Sequence, residues 1–180
     1  NIMLLLKRLI IGLAVIIVAF YAIGLALPSS YSVQRSITIQ APASDVYAQI
    51  VDLRRWQGWG VWFKRDPDMQ LSFSGPDRAV GMRSEWKSVT EGNGAMTIKS
   101  LEHDKRVVYD LWFADMEMGS TGEFTLETTE QGTRVTWRDY GDVGSNVVYR
   151  YFGLFMDSML GPDFEDGLAN LKTVSENTIG

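Results

Sequence analysis

His103 is the only side chain of this sequence that ordinarily titrates near neutral pH, and it stands without the partners that histidine chemistry needs. It lies in a polar Glu102-His103-Asp104-Lys105 string, the composition of a solvated turn. No second histidine and no cysteine is present to complete a zinc-type ligand set, so neither a metal nor a cofactor is expected. A serine nucleophile would have His103 as its sole histidine base, and no nucleophile-elbow string occurs. Glu91-Gly92-Asn93-Gly94 signals a hairpin turn rather than a phosphate cradle. Two acids remain. Asp110 falls on the face opposite Tyr109 and Leu111 and is expected in solvent. Asp139 shares parity with Val135 and Trp137, which aims it inward. A bulge, or a strand ending at Trp137, would instead leave it in water, and water is the expectation. If buried, its pKa would rise and it would be the best acid/base candidate of the chain.

The elements that position these residues begin at Ser32. Residues 32–40 alternate, with Val33, Ile37 and Ile39 on one face and Arg35 interrupting it, the pattern of a half-buried strand. Ala41-Pro42 stops that strand. A helix then opens at Ala43 or Ser44 and runs through Val51, with Val46, Tyr47 and Ile50 at helical spacing. The aromatic-dense segment 53–63 follows. Its Trp56, Trp59 and Trp62 read either as a hydrophobic lid or, with Tyr31, as indoles and a phenol resting at a membrane interface. Strands are expected over 69–74, 82–88, 95–101, 106–114, 121–129 and 133–140, joined by short turns into an antiparallel meander. Residues 147–160 are helical in spacing, Gly161-Pro162 is expected to break or kink that helix, and 163–176 resume it. The fold class is α+β. A sheet with one long helix closes its core by curving around that helix.

Ahead of this unit stand nineteen uncharged residues, 9–27, twelve of them Leu, Ile, Val or Phe. As a helix they would span about 28 Å, close to the hydrocarbon thickness of a bilayer. The anchor residues are Leu9, Ile10, Leu13, Ile16, Ile17, Phe20, Ile23 and Leu27. A cleavable signal peptide is the alternative, with Lys7-Arg8 as its basic region and Gly24-Leu25-Ala26 as a small-x-small site, but the run exceeds the usual apolar length and Pro28 follows it. A retained anchor is the expectation. The Lys7-Arg8 pair puts the N-terminus in the cytoplasm and the remainder across the inner membrane, in the periplasm of a bacterium. Ala19, Ala22 and Ala26 form a small-residue stripe that suits packing against another membrane subunit. The chain divides into an anchor with a short linker (1–30) and one domain (31–180). From residue 28 on, 15 basic residues face 22 acidic ones, a net charge of −7 that disfavours nucleic acid.

Several strings tie this order of elements to a known family. They are Arg35-Ser36-Ile37-Thr38-Ile39-Gln40-Ala41-Pro42, then Val46-Tyr47, Trp56 and Trp59, Val135-Thr136-Trp137, and Gly161-Pro162-Asp163-Phe164-Glu165-Asp166-Gly167-Leu168. With them residues 31 to about 176 resemble the SRPBCC superfamily, the START-related helix-grip proteins that include polyketide cyclase/dehydrase types. The resemblance implies a helix-grip fold with a cavity between the concave sheet and the C-terminal helix. The inward sets then become its candidate wall: Phe73, Trp86, Met96, Ile98, Tyr109, Leu111, Phe113, Phe124, Leu126, Val135, Trp137, Phe155, Met156 and Met159. Side chains of this bulk fill plain cores as readily as they line cavities.

Three functions follow as expectations. The first is a membrane-anchored binding module for a hydrophobic small molecule or lipid. The second is an accessory or scaffolding subunit of a membrane complex. The third is a cyclase- or dehydratase-type enzyme, since such chemistry can run on carboxylates and hydroxyls alone.

Overall fold

In the computed structural model, which describes residues 1–177, a long apolar helix α1 (Ile2–Ala26) leads into β1 (Ser30–Ile39). Helix α2 (Ala43–Val51), a 3-10 helix (Leu53–Gly58) and the short α3 (Val61–Arg65) follow. Next come β2 (Gln70–Ser74), β3 (Arg83–Ser88), β4 (Gly92–Glu102), β5 (Arg106–Phe113), β6 (Met118–Thr129) and β7 (Gly132–Asp142), then α4 (Val147–Gly153) and α5 (Met156–Asn177). The strands make one curved antiparallel sheet in the order β1-β7-β6-β5-β4-β3-β2. This is the expected meander, with β1 returning to pair with the last strand.

Period-two burial decides which face carries the core. Val107, Tyr109, Phe124, Leu126, Val135 and Trp137 are all 5% exposed or less, while Asp110, Glu127, Arg134 and Arg138 between them face water. Helix α5 lies on this concave face with Phe164, Leu168 and Leu171 turned inward. Helix α2 and the 3-10 helix cap one end through Val46, Ile50, Leu53 and Trp56. Arg35, which interrupts the apolar face of β1, reaches α5 and donates to Asp157 (2.8 Å) and Glu165 (2.8 Å). Those carboxylates hold its guanidinium more basic than usual, and Asp157 correspondingly more acidic.

The C-terminal helices depart from the expected boundaries. Gly161-Pro162 neither ends nor divides the helix: α5 runs through both. Gly161 has a positional reason, since a Cβ there would lie 2.0 Å from the Arg35 guanidinium. Pro162 and Ser158 are exposed, so water is at hand for the carbonyl that a proline cannot serve. The break falls earlier, at Leu154-Phe155, because α4 turns away to follow α1 while α5 lies on β1. A single straight helix cannot do both. The expected hairpin turn at 91–94 also shifts: Gly92, Asn93 and Gly94 are paired within β4 against Ser88, Lys87 and Trp86, and the turn is at 89–91.

Candidate functional site: a cavity at the anchor-proximal end of the sheet

The cross-strand register sorts the inward residues into rows. Val107, Phe124 and Trp137 form one row, and Ile98, Tyr109, Gly122, Asp139 and Val33 the next. Then come Ser84, Met96, Leu111 and Ser120, and last Trp86, Gly94, Phe113 and Met118. The rows progress from the His103 turn toward the end where β1 leaves α1.

The first rows are filled. Trp137 stacks on Phe164 at 4.0 Å and on Phe124 at 4.7 Å, with the edges of Trp56 and Trp59 against it at 5.9 and 5.6 Å. The Trp56 and Trp59 indoles donate to the carbonyls of Ile50 (2.8 Å) and Gln49 (3.1 Å), and Trp62 packs its edge on Trp137. Trp56 and Trp59 are therefore interior side chains with protein partners, which corrects the membrane-interface alternative for them, and Trp62 is half-buried against the same core. Tyr31 is likewise turned inward.

The last rows are not filled. Between them and the α4–α5 region lies a cavity of about 470 Å³, within the range that holds a small ligand. Of the candidate wall, Trp86, Met96, Tyr109, Leu111, Phe113, Trp137, Met156 and Met159 line it. Six others do not, and each has a physical reason. Ile98, Phe124, Leu126 and Val135 are packed within the closed core, and all are 5% exposed or less. Phe73 sits on β2 under the Arg54 guanidinium, 5.2 Å from its ring centre. Phe155 is at the α4–α5 break, 58% exposed. Sequence reasoning missed Tyr31, Leu53, Trp56, Trp62, Phe63, Met69, Leu71, Met116, Met118, Val143, Tyr149, Phe152, Leu160 and Phe164, which complete the apolar wall. For most of them the signal was aromatic and methionine content outside the central strands. Met116, Phe152 and Met159 are each about half exposed and mark the mouth.

Three carboxyls belong to this wall: Glu91 and Asp163, both paired with Arg65, and Asp139. Asp139 is 3% exposed, contrary to the expectation of water. Strand β7 continues past it to Asp142, in unbroken register with β1 and β6, so no bulge turns the side chain out. Ser120 Oγ donates to Asp139 Oδ2 at 3.0 Å. Burial pushes the Asp139 carboxyl up to about 7, against the opposing effect of the Ser120 hydrogen bond. Burial and the neighbouring Asp139 also push the Tyr31 phenol up to about 12. The Trp137 indole N–H donates to the Tyr109 hydroxyl at 2.8 Å, and burial raises that phenol as well. Asp139, Ser120 and Tyr31 thus form one small polar spot in a mostly apolar chamber, whose other carboxylates, Glu91 and Asp163, are held by Arg65. The Asp139 carboxyl can hydrogen-bond a ligand's hydroxyl or amine, and it can give or take a proton at neutral pH. The other candidate acid and the histidine lie elsewhere: Asp110 is exposed beside Lys99, and the His103 side chain is 83% exposed in its turn. Among the described residues, no three His, Cys, Asp or Glu side chains gather where they could hold a metal.

The sequence profile described as polyketide cyclase / dehydrase and lipid transport matches residues 30–176, the whole of the sheet and its helices. The chain belongs to this polyketide cyclase/dehydrase and lipid transport family. Solved structures share the fold of this family member at low identity. A protein of unknown function from Staphylococcus aureus superposes with a TM-score of 0.64 at 14% identity, over 83% of this chain and 95% of its own. A protein from Mesorhizobium loti gives 0.59 at 17%, over 82% and 98%. The di-domain ARO/CYC StfQ of the steffimycin biosynthetic pathway gives 0.59 at 14%, over 83% of this chain and 51% of its own. At such identities these neighbours establish the helix-grip fold alone. No curated protein matches the sequence. Helix α1 lies outside the matched region.

Proposed function

We propose that this family member is a membrane-anchored binding module that holds a hydrophobic small molecule or lipid in the cavity above α1. The observation that carries the reading is the chamber of about 470 Å³, walled by aromatic, leucine and methionine side chains on a fold that elsewhere packs them solid. Asp139, with Ser120, supplies a polar contact without a basic partner, which suits a ligand with an apolar body and a hydroxyl or amine. Helix α1 supports the anchoring half of the reading. It is 25 residues long, and Gly24 is its one buried residue. Lys7-Arg8 before it favours a cytoplasmic N-terminus, with the domain on the periplasmic side of an inner membrane.

A second reading, a cyclase- or dehydratase-type enzyme, is favoured by the placement of Asp139 against the cavity, where it would be the general acid or base. Native mass spectrometry of the full chain, released from mild detergent after expression in a membrane-bearing host, tests the binding reading. The expected spectrum contains the chain carrying one apolar molecule. A bare chain that stays bare after incubation with extracted lipid overturns it.

A further inference from the structure

The densest exposed apolar surface beyond α1 lies at α4 and its junction with α5. Val148, Phe152, Leu154, Phe155 and Met159 are each about half exposed, and they fall within twelve consecutive residues. Isolated exposed apolar side chains are ordinary, whereas a contiguous group marks an interaction surface.

Contacts with α1 fix the level of this surface. The Tyr151 hydroxyl donates to the Phe20 carbonyl at 2.7 Å, and the two rings stack at 4.5 Å. Val147 seats on Gly24, where a Cβ would come within 2.2 Å of Val147 Cγ1. Phe20 precedes Leu27 by seven residues, about 10 Å along a helix axis. Helix α4 therefore lies beside the last two turns of the apolar run rather than above its end. Arg150 donates to the carbonyls of Leu25 (2.9 Å) and Leu27 (3.2 Å). It caps the end of α1 and sets a charge at the level where the apolar run stops. The cavity opens at the same place: Phe152 and Met159 belong both to this surface and to the chamber's wall.

We propose that α4 and the α4–α5 junction are seated in the headgroup–acyl boundary of the leaflet where α1 ends, so that the mouth of the cavity opens onto lipid. An apolar ligand then passes between leaflet and chamber without crossing water. The inference rests on the reading of α1 as a membrane span, and a membrane is the occupant that the depth of α4 along α1 selects.

The chain has no cysteine, so single-cysteine variants carrying an environment-sensitive NBD label report each position separately. The full chain is reconstituted in phosphatidylcholine vesicles, with and without an acyl-chain nitroxide lipid. The labelled positions are Ile16→Cys within the span, Phe152→Cys and Phe155→Cys on the surface, and Glu130→Cys at the far end of the sheet. The expected result is blue-shifted emission at 16, 152 and 155, with nitroxide quenching several-fold stronger than at 130. If 16 is quenched while 152 and 155 behave like 130, the span stands and the seated mouth is wrong. If 152 and 155 are blue-shifted yet shielded from the nitroxide, protein covers this face, for instance a second copy, and the proposal also fails. If 16 itself is unquenched, the anchoring reading fails and takes this one with it.

Discussion

Replacing Trp137 with alanine is expected to lower the unfolding free energy by about 3–5 kcal/mol, the range for removing a large aromatic from a closed core. Trp137 is 1% exposed and stands at the centre of the filled rows. Its loss would remove the Phe164 and Phe124 stacks together with the edge contacts of three other tryptophans. It would also leave the buried Tyr109 hydroxyl without the indole donor. For a domain of this size the melting temperature should fall by about 10 °C or more. Trp137→Phe keeps an aromatic plane and loses chiefly the hydrogen bond, so it should cost about 1–2 kcal/mol. Thermal unfolding followed by near-ultraviolet circular dichroism in mild detergent separates the two. Equal stability of Trp137→Ala and the parent would mean that the cluster is not the closed core described here.

The second large effect is a pH dependence that runs opposite to the usual acidic one. In the unfolded chain Asp139 ionises near 3.8, whereas in the folded chain its carboxyl titrates at about 7. Between those values the folded state holds a proton that the unfolded state has released. Stability from this group is therefore complete below about pH 4 and is lost as pH rises toward 7, by roughly 4 kcal/mol at the most. Asp139→Asn should abolish that loss and melt higher than the parent at pH 8, while the two converge at pH 4. The asparagine carbonyl can still accept from Ser120. The depressed carboxyls act in the other direction: Glu123 beside Arg106, and Asp157 beside Arg35, lose their contribution as pH falls through their folded values. Melting curves of both proteins from pH 4 to 8 show whether the difference opens on the alkaline side. Parallel curves across that range would place Asp139 in contact with water.

Much of the fold was legible because strands advertise their faces. The parity of Val135, Trp137 and Asp139 is an inward parity, and the structure keeps it for all three. Expecting Asp139 in water required a bulge or an early strand end. Neither occurs, because β1 continues to pair β7 as far as Asp142, a partner distant in sequence that local spacing does not reveal. The same limit hid the boundary of the cavity. Leu111 and Leu126 have identical inward patterns, yet Leu111 lines the chamber and Leu126 is buried in the closed core. Alternation says which side of a sheet is dry, and it is silent on which rows a helix covers. The break between α4 and α5 was misplaced for a related reason. Gly161-Pro162 has the composition of a stop, but its glycine makes room for Arg35 within a continuing helix. The real break at Leu154-Phe155 follows from docking α4 against α1, a contact between segments more than a hundred residues apart.

The arrangement joins three features at one end of the molecule: an apolar helix, an apolar surface and the mouth of an apolar chamber. The chamber is the claim on which the others depend. Titration of the full chain in mild detergent with cis-parinaric acid, a fluorescent long-chain fatty acid, tests it most directly, alongside Leu111→Trp, which places an indole in the unfilled rows. The account predicts one saturable site per chain in the parent and affinity at least about tenfold weaker in Leu111→Trp, with the melting temperature little changed. No saturable site in the parent, or equal affinity in the two proteins, would contradict it.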